Sequence, residues 1–193
     1  MTLLKKYLHH MTLATPDGPF SVIADQDHVL ASGWTPDISA LIELIHPALR
    51  QGSAAKTEMG DIGGHRVLAQ AKQSVEAYYT GDTAAVDSVP VHQRSGPFRE
   101  HAWAVLREIE AGQSLSYAEY ARRAGSPAAI RAAAGACAKN AAALFVPCHR
   151  IIRTDGGLGG FRYGLEIKQS LLQREAAPAP SLRADPRLAS PAR

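Results

Sequence analysis

The stretch SYAEYARRAGSPAAIRAAAGACAKN, residues 116–140, predicts two short helices joined by a tight turn. Ser116 and Glu119 have the spacing of a capping box, in which each side chain accepts a hydrogen bond from the other residue's free backbone amide. That helix stops at Gly125, and Ser126-Pro127 is expected to cap a second helix that runs to about Lys139. The pattern is typical of a helix-turn-helix whose second helix recognises DNA, and equally of a helical hairpin that only packs.

Helical signals also lie on both sides of this stretch. Pro97 begins a predicted helix, FREHAWAVLREIE, that runs to Gly112, and a last amphipathic helix covers Leu165–Glu175. Between them, Arg153–Gly160 is dense in glycine but lacks the Gly-Lys-Ser/Thr of a phosphate-binding loop. We expect this loop to let the backbone approach a ligand closely.

The first third of the chain predicts short strands followed by helices. The segments Phe20–Ala24 and His28–Trp34 favour strands and are bounded by turn residues. Helices are predicted near Ile38–His46 and Val67–Tyr79, and the polar stretch 83–96 is interpreted as a linker.

These patterns predict an α+β fold. A small N-terminal domain of strands and helices, with its linker, occupies residues 1–96, and a mostly helical domain with the helix-turn-helix occupies 97–175. The Pro/Ala-rich remainder, 176–193, is predicted to be a disordered tail.

Composition limits the classes of protein. The chain is 46% hydrophobic and 20% charged, has no apolar run approaching the roughly 18 residues of a membrane helix, and begins without a signal-peptide pattern. Its two cysteines make no disulfide framework, so we expect a cytoplasmic protein with no membrane partner.

Charge is unevenly distributed. Residues 1–96 carry 7 Lys/Arg against 10 Asp/Glu, a net of −3, whereas 97–175 carry 11 against 7, a net of +4. The excess of basic residues in the second half favours an anionic partner, although a solvated helical face explains it equally well.

The segment FVPCHRII, residues 145–152, places Cys148 beside His149 among apolar residues. Zinc needs about four ligands and a redox pair needs a close second thiol; the spacing to Cys137 provides neither, and no metal or cofactor is predicted. Nucleophilic catalysis by a thiolate with a nearby base remains, beside the alternative of an inert buried cysteine. Neighbouring side chains of a regular strand point to opposite faces, so the pair must lie at a bend, which Pro147 favours, or communicate through a water.

The motif VPCHRII, with SYAEYARRAGSPAAIRAAAGACAKN before it and DGGLGGFRYGLEIKQSLLQREA after it, resembles the O6-alkylguanine-DNA alkyltransferases, closest to the alkyltransferase domain of bacterial Ada-type proteins. The resemblance is strong over residues 97–175; before them only the strand-then-helix order and the segment YYTGD, residues 78–82, fit the family's small N-terminal domain. It implies a single-turnover repair protein that acts as a monomer on double-stranded DNA carrying O6-alkylguanine and transfers the alkyl group irreversibly to Cys148. It also implies that His149 is the base, acting through a water, that Glu175 orients His149, and that Asn140 ties the recognition helix to the strand of Cys148.

The same resemblance assigns residues to DNA and to the substrate pocket. Tyr117 would favour rotation of the base out of the duplex and donate to the flipped guanine, while Arg131 would fill the space that the base leaves. The recognition helix would enter the minor groove, which suits its small residues Ala128, Ala129, Ala132, Ala133 and Gly135. The pocket residues implied are Ile151, Phe161, Arg162 and Lys168.

The chain departs from the family pattern at a few positions. Phe161 stands where many members have Tyr, Ala141 where many have Pro, and no cysteine is available for the N-terminal zinc of some members. Two other functions remain as alternatives: a helix-turn-helix regulator or lesion sensor without chemistry, and a Cys-His hydrolase with turnover. The presence of Cys148 argues against the former, and the lack of a recognisable oxyanion hole argues against the latter.

Overall fold

The computed structural model describes residues 8–50, 57–59 and 64–176. Its N-terminal part holds a four-stranded sheet of β1 Leu8–Thr15, β2 Gly18–Ala24, β3 Val29–Gly33 and β4 Thr57–Met59. The strand order is β3-β2-β1-β4; β2 is antiparallel to both β1 and β3, and β4 is parallel to β1. The two strands predicted between residues 20 and 34 are therefore confirmed as β2 and β3, and β1 precedes them.

Three helices accompany this sheet: α1 Ile38–Leu44, α2 Pro47–Arg50 and α3 Arg66–Thr80. The helix predicted near Ile38–His46 is confirmed but ends at Leu44, where Ile45 turns to an extended conformation with ψ 131°. Pro47 explains why the helix does not include His46, because proline disfavours the helical conformation of the residue before it. The helix predicted near Val67–Tyr79 is confirmed as α3, and Gly81 ends it in the left-handed conformation.

The predicted linker, 83–96, is packed against the rest of the molecule. It contains a 3-10 turn at Ala85–Ser88, and Val91 forms a parallel bridge with Val29 of β3. Hydrogen bonds from Val29 N to Pro90 O at 2.8 Å and from His92 N to Val29 O at 2.9 Å hold it there. The proposed division of the chain at residue 96 stays a prediction.

Helix α4 spans Pro97–Arg107, so the predicted extension to Gly112 is wrong. The amides of Glu108 and Ile109 bond three residues back, to Val105 and Leu106, at 3.2 Å each. This tighter turn buries the Ile109 side chain and leaves its carbonyl free to accept from the Arg150 guanidinium.

Two short helices follow, α5 Tyr117–Arg123 and α6 Ile130–Ala138, in the order predicted. Ser116 Oγ accepts from Glu119 N at 3.1 Å, but the Glu119 carboxylate contacts Arg122 and Arg123 instead, so half of the capping box forms. The next predicted cap is wrong: α6 begins at Ile130 without a side-chain cap.

The chain uses Ser126-Pro127 for a turn instead. Ser126 O accepts from Ala129 N at 2.9 Å, and Pro127 occupies the second position of that turn, which its fixed φ favours. The turn therefore delays the start of α6 by a few residues.

The remaining elements are the short parallel pair β5 Leu115–Ser116 and β6 Ile151–Ile152, a 3-10 turn at Cys148–Arg150, and α7 Leu165–Ala176. The predicted last helix is confirmed as α7 and includes Ala176, which we had assigned to the tail. The disorder predicted for the tail concerns 177–193, which lie outside the described residues.

Hydrogen bonds connect the N-terminal sheet to the segment before the Cys-His pair. Ser32 of β3 donates from its amide to Ala141 O at 2.9 Å and from its hydroxyl to Ala143 O at 2.7 Å. One hydrophobic cluster includes side chains from β2, α3, α4 and α7. The α+β class is confirmed, with a small sheet in the N-terminal part and helices in the C-terminal part. No helix in the described part of the chain is long and apolar enough to cross a membrane.

Candidate active site

The Cys-His pair lies at a bend, as the sequence predicted. Residues Cys148–Arg150 form a single 3-10 turn after Pro147, and β6 follows immediately. Cys148, His149 and Arg150 are all buried, so each polar group in the turn needs a partner inside the protein.

Asn140, directly after α6, joins that helix to the turn. Its Nδ2 donates to Val146 O at 2.8 Å and lies 3.3 Å from Cys148 Sγ, while its Oδ1 accepts from Ala142 N at 3.1 Å. Gln93, which the sequence did not single out, donates to the same Oδ1 at 2.9 Å. Asn140 thus contacts both the sulfur and the backbone that carries it.

On the other side of the turn, the Glu175 carboxylate receives buried donors from three residues. His149 Nε2 lies 2.8 Å from its Oε1, and Arg150 donates to both carboxylate oxygens at 2.9 Å. The Tyr78 hydroxyl of α3 also donates to Oε1, at 3.1 Å. Since a carboxylate accepts from His149 Nε2–H, the lone pair is on Nδ1, which is buried and has no hydrogen-bond partner in the described structure.

The surroundings set the protonation states of these groups. Burial by itself raises the pKa of Glu175, but the hydrogen bond from His149 and the hydrogen bonds and charge of Arg150 outweigh it and lower the pKa to about 2. Burial lowers the pKa of His149, against the opposing effect of Glu175. Burial raises the pKa of the Cys148 thiol, although the Asn140 hydrogen bond and the Lys168 charge act in the opposite direction. The resting site therefore holds a thiol, a neutral imidazole and a carboxylate.

Cys148 opens onto a cavity of about 380 Å³. Among the residues assigned to this site from the sequence, Tyr117, Asn140, Phe161 and Arg162 line it with Cys148. The other lining residues are mostly small or aromatic: Ala134, Cys137, Ala138, Ala143, Gly160 and Tyr163. The cavity is large enough for a small planar ring system and presents one thiol to it.

Two of the assigned pocket residues, Ile151 and Lys168, are not among the lining residues. Both are fully buried, and Lys168 Nζ donates to the carbonyls of Ile151, at 2.5 Å, and Leu158. Lys168 therefore joins α7 to β6 and to the glycine-rich loop. Its positive charge favours a lower pKa of the Cys148 thiol, although its side chain does not line the cavity.

The backbone of the glycine-rich loop, which we expected to approach a ligand, lies close to a side chain of the protein, that of Tyr117. Gly159 has φ 69°, and a Cβ at this position would lie 3.0 Å from the Tyr117 ring. The loop therefore lets the Tyr117 ring, which lines the cavity, pack directly against its backbone.

The N-terminal part of the chain packs against the cavity wall that Phe161 and Tyr163 form. Trp34, after β3, packs against Phe161 and Tyr163 with ring centroids 6.0 and 5.6 Å apart, and the Tyr163 hydroxyl donates to Ser32 O at 3.2 Å. A Cβ on Gly33 would overlap the Tyr163 ring, so β3 and this wall are in direct contact.

The assigned DNA-contacting residues lie mainly on the outer side of α6. Ala128, Arg131 and Ala132 are exposed and Gly135 is half-buried, whereas Ala133 faces the core. This placement leaves a narrow surface of small side chains with one long cation, Arg131.

Sequence reasoning missed Arg150, Tyr78 and Gln93 as parts of the site. Arg150 could have been found, because a guanidinium in a buried apolar segment requires an acidic partner. Tyr78 belongs to the YYTGD segment that fits the family, but no local pattern indicated its contact with Glu175, 97 residues away. Within the described residues, no three His, Cys, Asp or Glu side chains are grouped so as to hold a metal ion.

Comparisons with known proteins agree with this geometry. Residues 97–177 match the family described as 6-O-methylguanine DNA methyltransferase, DNA binding domain. The methylated-DNA–protein-cysteine methyltransferase of Shigella flexneri is 30% identical over 164 residues, 84% of this chain and 92% of the relative. The Escherichia coli bifunctional transcriptional activator and DNA repair enzyme Ada is 44% identical over 89 residues, which span only 25% of that protein.

Solved structures extend the likeness over most of the chain. The Mycobacterium tuberculosis O6-methylguanine methyltransferase is 26% identical and superposes with a TM-score of 0.68, covering 90% of this chain and 96% of the other. The structure of the same organism's OGT in complex with DNA covers the same shares at 25% identity and a TM-score of 0.68. With a full-length relative, a matching domain and a matching fold around the Cys148 cavity, this chain belongs to the methylated-DNA–protein-cysteine methyltransferase family.

Proposed function

We propose that this protein repairs DNA by transferring the alkyl group of O6-alkylguanine to Cys148, once per molecule. One observation carries the proposal: Cys148 Sγ faces a 380 Å³ cavity and belongs to the same buried turn as His149, which pairs with Glu175 of α7, in a chain of this family. A DNA-binding protein without chemistry would have no need to keep a thiol at such a site.

Activation begins with the thiol proton. Cys148 is protonated at rest because burial raises its pKa, so attack requires a base. His149 is neutral with a free Nδ1 lone pair, and we assign it the thiol proton, carried through one bridging water. Glu175 stays ionised and stabilises the imidazolium that forms, as the carboxylate does in other buried His-carboxylate pairs.

The transfer step is a displacement at the alkyl carbon. The thiolate electron pair forms the S–C bond while the C–O6 bond breaks, and the guanine O6 keeps that electron pair. The guanine anion then takes one proton from solvent, which balances the thiol proton that His149 accepts and later releases to solvent, while the Tyr117 hydroxyl at the cavity wall donates a hydrogen bond to the base. Asn140 Nδ2, 3.3 Å from Sγ, stabilises the thiolate before attack.

The DNA partner must deliver the base out of its stack, because a guanine in a duplex cannot reach a buried sulfur. We assign the exposed side of α6 to the minor groove, where Ala128, Ala132 and Gly135 leave room for close approach. Arg131 projects from the same side and fills the space that the flipped base leaves. A monomer provides every residue in this scheme.

The test is a titration of protein with excess methylated duplex. Each molecule should restore one guanine, and peptide mass spectrometry should find one methyl group on Cys148, since a thioether is a poor leaving group. Cys148→Ala should bind the duplex and restore none. Repeated turnover with unmodified Cys148 would favour the hydrolase, methyl on Cys137 would move the acceptor, and duplex binding without transfer would leave a lesion sensor.

A further inference from the structure

Tyr78 connects the N-terminal half of the chain to the proposed proton relay. Its side chain is fully buried in α3, and its hydroxyl donates to Glu175 Oε1 at 3.1 Å. Burial, with a smaller contribution from the Glu175 charge, raises the pKa of Tyr78 above its ordinary value, so the hydroxyl keeps its proton and acts as a donor.

The contact falls on the oxygen that His149 uses. Glu175 Oε1 lies within hydrogen-bond distance of Tyr78, His149 and Arg150, at 3.1, 2.8 and 2.9 Å, whereas Oε2 receives Arg150 alone. A carboxylate oxygen has two lone pairs in its plane, so three donors share them. Each donor therefore reduces the negative charge that the others experience.

We propose that Tyr78 is a positioning residue that holds down the basicity of His149 by donating to the same carboxylate oxygen. This rests on the proposed function, since it assigns a role within that relay. The hydroxyl dipole presents its positive end to Oε1 and stabilises the Glu175 anion. It thereby disfavours a second positive charge on His149, and keeps the imidazole neutral and ready to accept a proton at lower pH.

Other charged groups lie near the His149–Glu175 pair and also affect the pKa values of its members. Arg150, from the same turn, and Lys168, from α7, both oppose a charged His149. Asp87, from the 3-10 turn after α3, interacts with Arg150 and Glu175, and its pKa is raised mainly by burial. These groups stay in place when the Tyr78 hydroxyl is removed, so the change in His149 reports that hydroxyl.

The experiment compares Tyr78→Phe with Tyr79→Phe. Tyr79 is the adjacent tyrosine of α3; its hydroxyl donates to Asp17 and accepts from Trp34, and so makes a matched control for loss of a partly buried hydroxyl. Two rates are measured across pH for each protein: alkyl transfer from methylated duplex, and carboxamidomethylation of Cys148 by iodoacetamide, located by peptide mass spectrometry.

For Tyr78→Phe we expect the acid limb of both profiles to move to higher pH by about half a unit to one unit. At a fixed pH on that limb, the rates would be about three- to tenfold lower. Tyr79→Phe should match the wild type. Unchanged profiles in Tyr78→Phe, or equal shifts in both variants, would overturn the proposal. If the wild type transfers nothing from DNA while the iodoacetamide limb still shifts only in Tyr78→Phe, the proposed function fails and the role of Tyr78 stands.

Discussion

Replacing Glu175 by Gln tests the buried charge network at its centre. Three residues direct donors at this carboxylate: Tyr78, His149 and, at both oxygens, Arg150. A glutamine amide accepts on its oxygen only, so its NH₂ group would face a donor wherever it is placed. The substitution also removes the only carboxylate that is hydrogen-bonded, among the described residues, to the fully buried Arg150 guanidinium.

Two related arguments give the size of the effect. Lowering the pKa of Glu175 from its ordinary 4.5 to about 2 corresponds to about 3 kcal/mol of stability near neutral pH. Breaking a buried ion pair by removing one partner typically costs about 3–5 kcal/mol. We therefore expect Glu175→Gln to lower the free energy of unfolding by about 3–5 kcal/mol.

The sign of the pH dependence follows from the same shift. The pKa of Glu175 is lower in the folded protein, so its contribution is complete above about pH 4.5 and is lost as the pH falls toward 2. The difference between wild type and Glu175→Gln should shrink over that window, because protonation neutralises the wild-type carboxylate as well.

Urea unfolding at neutral pH and at several acid pH values measures both effects. Glu166→Gln is the control on the same helix: its carboxylate is exposed in the first turn of α7, and the change should cost less than about 1 kcal/mol. The reasoning would be refuted if Glu175→Gln unfolded within about 0.5 kcal/mol of the wild type, or if the difference between them stayed constant from neutral pH to pH 2.

Other substitutions test separate parts of the site. Arg131→Ala should slow repair of paired duplex far more than reaction with free O6-benzylguanine, since the free base needs no extrusion; equal losses would make Arg131 a general contact. Asn140→Ala should raise the thiol pKa by removing a donor to sulfur, and an unchanged pH profile of iodoacetamide reaction would contradict this. Gly33→Ala should cost about 1–3 kcal/mol by displacing Tyr163, whereas Gly96→Ala, at the N-cap of α4 with open space around it, should cost less than about 1 kcal/mol; equal losses would contradict the close contact at Gly33.

The local sequence alone determined most of the elements and indicated the candidate nucleophile. Apolar periodicity and turn residues placed β2, β3, α1, α3, α5 and α7, because these signals act between residues a few positions apart. Pro147 and the adjacency of Cys148 to His149 predicted the bend, since a regular strand would separate the two side chains. The motif around Cys148 indicated the family.

Tertiary structure decided the partners of the buried polar groups. Ser126 had the local pattern of a cap, yet its carbonyl closes a turn, and Lys168 had the family position of a pocket residue, yet it binds carbonyls behind the wall. The site of Glu175 brings together α3, the Cys148 turn and α7, which are distant in the chain. A buried donor or acceptor forms a hydrogen bond with a partner that the packed fold places within about 3 Å. The sequence around it does not predict which residue that partner is. The role of Tyr78 in α3 therefore became visible only in the folded molecule.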